Sequence, residues 1–154
     1  MKIERVDKFR NIEKLSKLIY INFLYLQNEP GLKYTLDDIQ ETLKASNNIS
    51  FFLTDNENKI VGYLIGIPKE ISDGRYVYYI SYFYIIEKYR GYGLGEKMLE
   101  YTINYIKKLN IKFIMLITKK EGIAFNLYRK YGFVKDPIIE IQNNNYILMI
   151  RYND

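Results

Sequence analysis

Residues 75–95 read RYVYYISYFYIIEKYRGYGLG, and the fold turns on this stretch. From Arg75 to Ile86 the chain is almost all Tyr, Val, Ile and Phe, the composition of a central strand covered on both faces. The run holds no Asp or Glu, and Ser81 is its one small hydroxyl. Three alternate glycines follow, Gly91, Gly93 and Gly95. Beyond them, a helical wheel puts Leu94, Met98, Leu99, Ile103, Tyr105, Ile106 and Leu109 on one arc. Lys97, Glu100, Asn104, Lys107 and Lys108 lie opposite, so the pattern predicts an amphipathic helix over Gly93–Leu109.

Working upstream, Ile49–Thr54 and Lys59–Ile67 flank the turn-forming cluster Asp55-Asn56-Glu57-Asn58 and read as a hairpin. The break at Ser72-Asp73-Gly74 then leads into the central strand. Thr35 is placed to cap a helix that carries Asp37 and Asp38 in its first turn and runs to about Ala45. The periodic stretch Ile12, Leu15, Leu18, Ile19, Phe23, Leu26 predicts an earlier helix, capped by Asp7 and ended near Asn28 by Pro30 and Gly31. Met1–Val6 alternates as a short first strand. Downstream, Ile111–Thr118 reads as a strand and Glu121–Tyr131 as a helix stopped by Gly132. Phe133–Ile141 and Tyr146–Tyr152 read as a closing hairpin. The order predicts an α/β (α+β) fold: a mixed, mostly antiparallel sheet of about seven strands with helices on both faces.

A chain of 154 residues holds one ordinary core and is too short for two, so residues 1–154 are expected to form a single domain. No apolar run approaches the length of a membrane span and the N-terminus has no apolar signal core, which leads to the expectation of a cytoplasmic protein without a membrane partner. His and Cys are both absent. Their absence removes imidazole bases, thiolate nucleophiles and Cys or His metal sites, and no metal is expected. The net charge of +5 is spread over 23 basic and 18 acidic residues without a stripe, so no nucleic-acid partner is expected.

Alternate glycines between a strand and a helix remove the Cβ atoms that would block a close ligand. The N–H groups of the helix's first turn lack intrahelical partners, so a phosphate or pyrophosphate fits there. Two common phosphate motifs fail: the sixth position of G-x-G-x-x-G counted from Gly91 is Glu96, and no Gly-Lys-Ser/Thr is present. The segment does match R/Q-x-x-G-x-G/A. Together with Phe83-Tyr84-Ile85 and with residues 124–133, AFNLYRKYGF, it makes the chain resemble the GCN5-related N-acetyltransferase (GNAT) family.

The resemblance implies the acyl-CoA N-acyltransferase fold, with acetyl-CoA as acyl donor and an amine as acceptor. It implies that backbone groups of Phe83, Tyr84 and Ile85 pair with the pantetheine arm as an added strand. Arg90, Gly91, Tyr92, Gly93, Leu94, Gly95 and Glu96 would hold the pyrophosphate, at a splay of two central strands. Tyr128 falls at the position that assists the departing thiolate. Two departures are visible: Glu87 stands where the family often has Pro, and Glu121 where it has an Asn able to touch the cofactor.

A primary amine with a pKa near ~10.4 is protonated at neutral pH and must lose a proton before it attacks a thioester. The oxyanion then needs a donor, for which a backbone N–H near Ile85 is the candidate. Full proton transfer from a Tyr (pKa ~10) to a thiolate (~8.5) is uphill by about 2 kcal/mol, so hydrogen bonding is the minimum role of Tyr128. No residue stands out as base; Glu29, Glu87 and Glu140 are distant candidates, and water is the alternative. The fold implies an acceptor framed by the Glu29–Thr35 loop, the strand ends and the Glu140–Tyr146 turn, with Tyr34, Tyr79 and Tyr82 as a candidate aromatic wall. A small-molecule amine is favoured. A protein amino group and a non-catalytic acyl-CoA-binding module stay open, as does a homodimer.

Overall fold

Strand β4 (Tyr76–Ile85) organises the molecule. The computed structural model describes residues 1–6, 12–32 and 34–154. The remaining strands are β1 (Lys2–Arg5), β2 (Phe51–Thr54), β3 (Ile60–Glu70), β5 (Phe113–Lys119), β6 (Val134–Lys135) and β7 (Tyr146–Tyr152). The helices are α1 (Ile12–Asn22), α2 (Leu36–Lys44), α3 (Leu94–Lys108) and α4 (Ile123–Lys130). The seven strands form one sheet in the order β1-β2-β3-β4-β5-β7-β6, antiparallel except for the β4–β5 pair.

The Tyr-rich strand is buried from both sides, as its composition predicts. Tyr78, Ile80 and Ile85 join Met98, Leu99, Ile103 and Ile106 of α3 and Tyr128 of α4 in one apolar cluster. Tyr82 joins Leu15 and Ile19 of α1 and Ile39 and Leu43 of α2 in another. Burial of this kind contributes about 25 cal/mol per Å² of apolar surface, which is why the pattern of Tyr and Ile governs where the helices sit.

Register along β4 breaks once. Ile65 of β3 faces Tyr82 while the next residue, Gly66, faces Ile80, so Ser81 is an extra residue bulged out of the ladder. A bulge bends its strand and sharpens the twist. It falls where the parallel pairing to β5 stops, at Ile80–Leu116. Past that pair β4 continues to Ile85 and β5 to Lys119 without facing each other. The sheet therefore opens into a fork on the C-terminal side of its two central strands.

Several boundaries differ from the sequence reading. The expected N-cap at Asp7 lies outside the described residues. The first helix ends at Asn22 rather than near Asn28 and is followed by a single tight turn, Leu24–Leu26. The hairpin expected over Phe133–Ile141 keeps only Val134–Lys135 as strand. Pro137 has no N–H to give a ladder, and the Asp136 carboxylate takes the N–H groups of Ile138 (3.3 Å) and Ile139 (2.7 Å), turning the chain away. Thr35 caps α2 as expected, in a reciprocal box with Asp38. Among the described residues no helix is long and apolar enough to cross a membrane.

Candidate active site

The side chains of the β4 tip are committed to packing. Phe83 turns toward α4, its ring 6.3 Å from that of Tyr128. Tyr84 turns the other way, stacked on Tyr63 at 5.9 Å and edge-on to Phe23 at 5.8 Å. What the tip leaves for a ligand is its backbone edge, which past Ile80 faces the fork rather than β5. An edge of unpaired N–H and C=O groups is the surface to which an extended amide-bearing chain adds as a strand.

At the end of β4 the chain turns through Glu87–Tyr89 into the glycine segment. Arg90 ties the turn down: its Nε donates to the Ile85 carbonyl at 2.7 Å, and its guanidinium lies 4.9 Å from the centre of the Tyr84 ring. Gly91 (φ 86°) and Gly93 (φ 76°) both sit in the left-handed region, where a Cβ costs about 1–2 kcal/mol. A Cβ at either would meet nothing within 4 Å, so these glycines answer to backbone conformation and leave open space above the turn. Gly93 caps α3 without a side-chain bond, and the first-turn N–H groups point into that space. Tyr92 projects into solvent, 76% exposed. Glu96 is turned to Lys130 of α4, with which it forms an ion pair.

Past the Ile80–Leu116 pair the fork widens into a cleft of about 830 Å³. One wall carries Ser81, Tyr82 and Phe83 of β4, another Thr118 and Lys119 of β5, and the far end Gly122, Ile123 and Tyr128. Tyr128 is held between Phe83 and Phe133 (5.6 Å ring to ring), and its carbonyl accepts from Phe133 N–H at 3.0 Å where Gly132 ends the helix. Only 6% of the residue is exposed. Its hydroxyl reaches solvent and makes no hydrogen bond with a described residue. Burial, with a smaller contribution from Tyr25, pushes its phenol well above the usual tyrosine range, so it stays a proton donor.

The opposite end of the cleft is built by loops and by α2. Asp38, Glu41 and Thr42 line it together with Tyr79, whose ring carries the Lys69 ammonium at 4.3 Å. Tyr25 reaches in from the turn after α1, with the Lys119 ammonium 5.1 Å from its ring. Beside the cleft, Asn143 Nδ2 donates to Glu29 Oε2 (3.2 Å) and to the Pro30 carbonyl (3.4 Å), joining the loop after α1 to the turn before β7. Beyond this bridge lies a second, more polar cavity of about 780 Å³ that contains Glu29 and Glu140. Tyr146 belongs to the walls of both.

The sequence reading is thus met in part. Tyr79 and Tyr82 form cleft wall, whereas Tyr34 does not: it is buried, stacked on Tyr20 at 5.6 Å and donating to the Tyr20 carbonyl. Of the carboxylates considered as base, Glu29 and Glu140 line the neighbouring cavity and Glu87 lies in the turn after β4; none lines the cleft that holds Tyr128. Glu121 does line it. Sequence reasoning did not single out Tyr25, Glu41 or Lys69. Nothing local marks them, because their place depends on how α1, α2 and β3 dock.

The description "Acetyltransferase (GNAT) family" matches residues 11–133. An uncharacterized N-acetyltransferase of Porphyra purpurea, ycf52, is 29% identical over 106 residues, which is 69% of this chain and 59% of that protein. The chain therefore matches less than two thirds of that relative's length. Among solved structures, one of the NatC complex bound to Gag peptide and CoA aligns with a TM-score of 0.75 at 20% identity, over 99% of each chain. Aminoglycoside 6'-acetyltransferase type Ii aligns with a TM-score of 0.75 at 15% identity, over 100% of this chain and 98% of that one. The ribosomal-protein-S18-alanine N-acetyltransferase from Escherichia coli aligns at 0.72 and 15%, over 99% and 94%. At these identities the structures establish a common fold, and the family match, spanning most of the chain, establishes membership: the chain belongs to the GNAT acetyltransferase family.

Proposed function

We propose that the chain is an acetyl-CoA-dependent N-acetyltransferase acting on a primary amine of a small molecule. The observation that carries this reading is the Tyr128 hydroxyl. The residue is buried, the hydroxyl reaches solvent without a described protein partner, and it faces a fork that leads from β4 toward a helix N-terminus with no side-chain cap. A thioester-bearing pantetheine fits between those two points, its amides along the free edge of β4 and its pyrophosphate on the first turn of α3. Acetyl-CoA supplies the activated acyl group. The neutral amine attacks its carbonyl carbon, the C–N bond forms, and the C–S bond breaks. Tyr128 donates a hydrogen bond to the departing sulfur, and a backbone N–H near Ile85 donates to the developing oxyanion. The proton lost by the amine leaves through water, consistent with the absence of a carboxylate on β4.

A small acceptor is favoured over a protein segment by the Asn143 bridge to Glu29 and Pro30, which ties two loops together beside the cleft and would narrow the approach of an extended chain. Thermal unfolding with and without saturating acetyl-CoA, beside NAD and ATP, tests the donor. Ligand at 100 times Kd adds ~2.7 kcal/mol, or about 5–10 °C for a chain of this size. No shift in folded protein removes the assignment. A panel of amines, small and peptidic, read by CoA release, then tests the acceptor. A second reading starts from the missing base: Glu29, Glu87 and Glu140 all lie off the cleft, which leaves Asp38, Glu41 and Glu121 as the carboxylates that line it. Acetyl-CoA binding without release from any amine would identify a non-catalytic acyl-CoA-binding module.

A further inference from the structure

Glu96 is the one carboxylate in the glycine segment, three residues past the cap Gly93. From that position a glutamate ordinarily folds back onto the N–H of the cap residue and closes the helix end with its own charge. Here it does not. The Glu96 carboxylate accepts instead from Lys130 Nζ, on the last turn of α4. The two side chains are 39% and 65% exposed, so the pair contributes little to folding and is not explained as a structural brace. Its position explains it better, because the pair sits at the helix end that carries no side-chain cap.

We infer that Lys130 is a positioning residue for the anionic part of the donor: it holds Glu96 aside, and so keeps the first turn of α3 open to a pyrophosphate. This rests on the acetyl-CoA reading given above. Released from Lys130, the Glu96 carboxylate would turn onto the first-turn N–H groups, occupying the donors a phosphate needs and opposing it by like charge. The effect of Lys130 therefore passes through Glu96, which fixes the sign of a double substitution.

The test is calorimetric titration of acetyl-CoA into the wild type, Lys130→Gln, Lys130→Arg, Glu96→Gln and the Glu96→Gln/Lys130→Gln double variant. Unliganded melting curves serve as the check of folding. Lys130→Gln is expected to weaken binding about two- to fivefold, the range set by an exposed charge at a helix N-terminus. Lys130→Arg keeps the wild-type affinity. Glu96→Gln binds at least as tightly as the wild type, and the double variant returns to the Glu96→Gln value. An unchanged Lys130→Gln overturns the inference. So does a double variant as weak as Lys130→Gln alone, which would assign Lys130 to direct contact with the phosphates. A folded wild type that binds no acetyl-CoA is a separate outcome, and it removes the donor reading itself.

Discussion

On the proposed reading the donor surface is backbone: the free edge of β4, two glycines with positive φ, and the first turn of α3. On the proposed acceptor side it is side chains brought from separate elements: Tyr25 after α1 and Asp38 and Glu41 on α2 line the cleft, and Asn143 reaches to Glu29 beside it, at the neighbouring cavity. The first surface is written in one continuous stretch, residues 81–96. The second is assembled from segments more than a hundred positions apart. A backbone site leaves little room for substitution, whereas a loop-borne site can change occupant without disturbing the sheet.

If that contrast is right, the most damaging single change lies in the backbone site. Gly93→Val places a β-branched side chain at φ 76° on the open face of the turn. The strain is about 1–3 kcal/mol and the new side chain stands where the pyrophosphate belongs. The expected result is a folded protein that has lost the acetyl-CoA-dependent rise in melting temperature entirely. A shift that survives would mean that the glycine segment is a turn and nothing more.

The segment between β6 and β7 is anchored by a buried ion pair. Arg75 donates to both Asp136 oxygens (2.6 and 3.0 Å) while also bonding Asp73, and Asp136 in turn holds the N–H groups of Ile138 and Ile139. Burial pushes the Asp136 carboxyl up, but Arg75 and the two N–H groups outweigh it, leaving it below the usual range. Its contribution is therefore present above pH ~4 and is lost as pH falls below that. Asp136→Asn removes the charge from one of the two carboxylates that Arg75 bonds, leaving Asp73, and should cost about 2 kcal/mol, or roughly 4–8 °C in melting temperature. Acetyl-CoA should still bind, since nothing at the donor end touches this pair. Loss of both together would contradict the separation of the two ends.

This division also explains what could be read in the sequence. Thr35, the glycine segment and Tyr128 with Gly132-Phe133 carry their conformations locally, in capping, positive φ and helix termination, and each falls where the pattern puts it. The bulge at Ser81 is hidden, because in a strand apolar on both faces a one-residue slip leaves no trace in alternation. Asp136 misled for a different reason. Residues 133–141 have strand composition, yet a buried carboxylate facing Arg75, 61 positions away, captures the backbone first. Tyr34 has the right type for a cleft wall, and only the docking of α1 shows that its hydroxyl is spent on Tyr20.

Tyr128→Phe probes the meeting point of the two ends. Loss of the hydroxyl should lower kcat about 10²-fold while acetyl-CoA affinity stays the same, since the ring still packs between Phe83 and Phe133. Its raised pKa means that turnover should show no alkaline limb from this residue below pH ~10. Stability sets in sooner as the limit. Burial pushes the Tyr79 and Tyr146 phenols up to about 12, so the unfolded chain gives up those protons first. Their stabilisation is intact below pH ~10 and is lost progressively as pH rises toward 12, which melting curves across that window would record.

Asn143→Ala is the mildest change and bears most directly on the acceptor. It deletes the two hydrogen bonds that join the turn before β7 to Glu29 and Pro30, together worth about 1 kcal/mol on a solvent-facing surface. For a small amine the expected result is a rise in acceptor KM of about two- to fivefold, with kcat and acetyl-CoA affinity unchanged. The backbone site contains nothing that Asn143 supports. Peptides decide what the bridge is for. If it narrows the approach, opening it should let peptidic amines gain turnover relative to small ones. If peptides are already turned over by the wild type and lose activity in Asn143→Ala, the bridge is part of a peptide-binding surface, and the acceptor is a protein amino group.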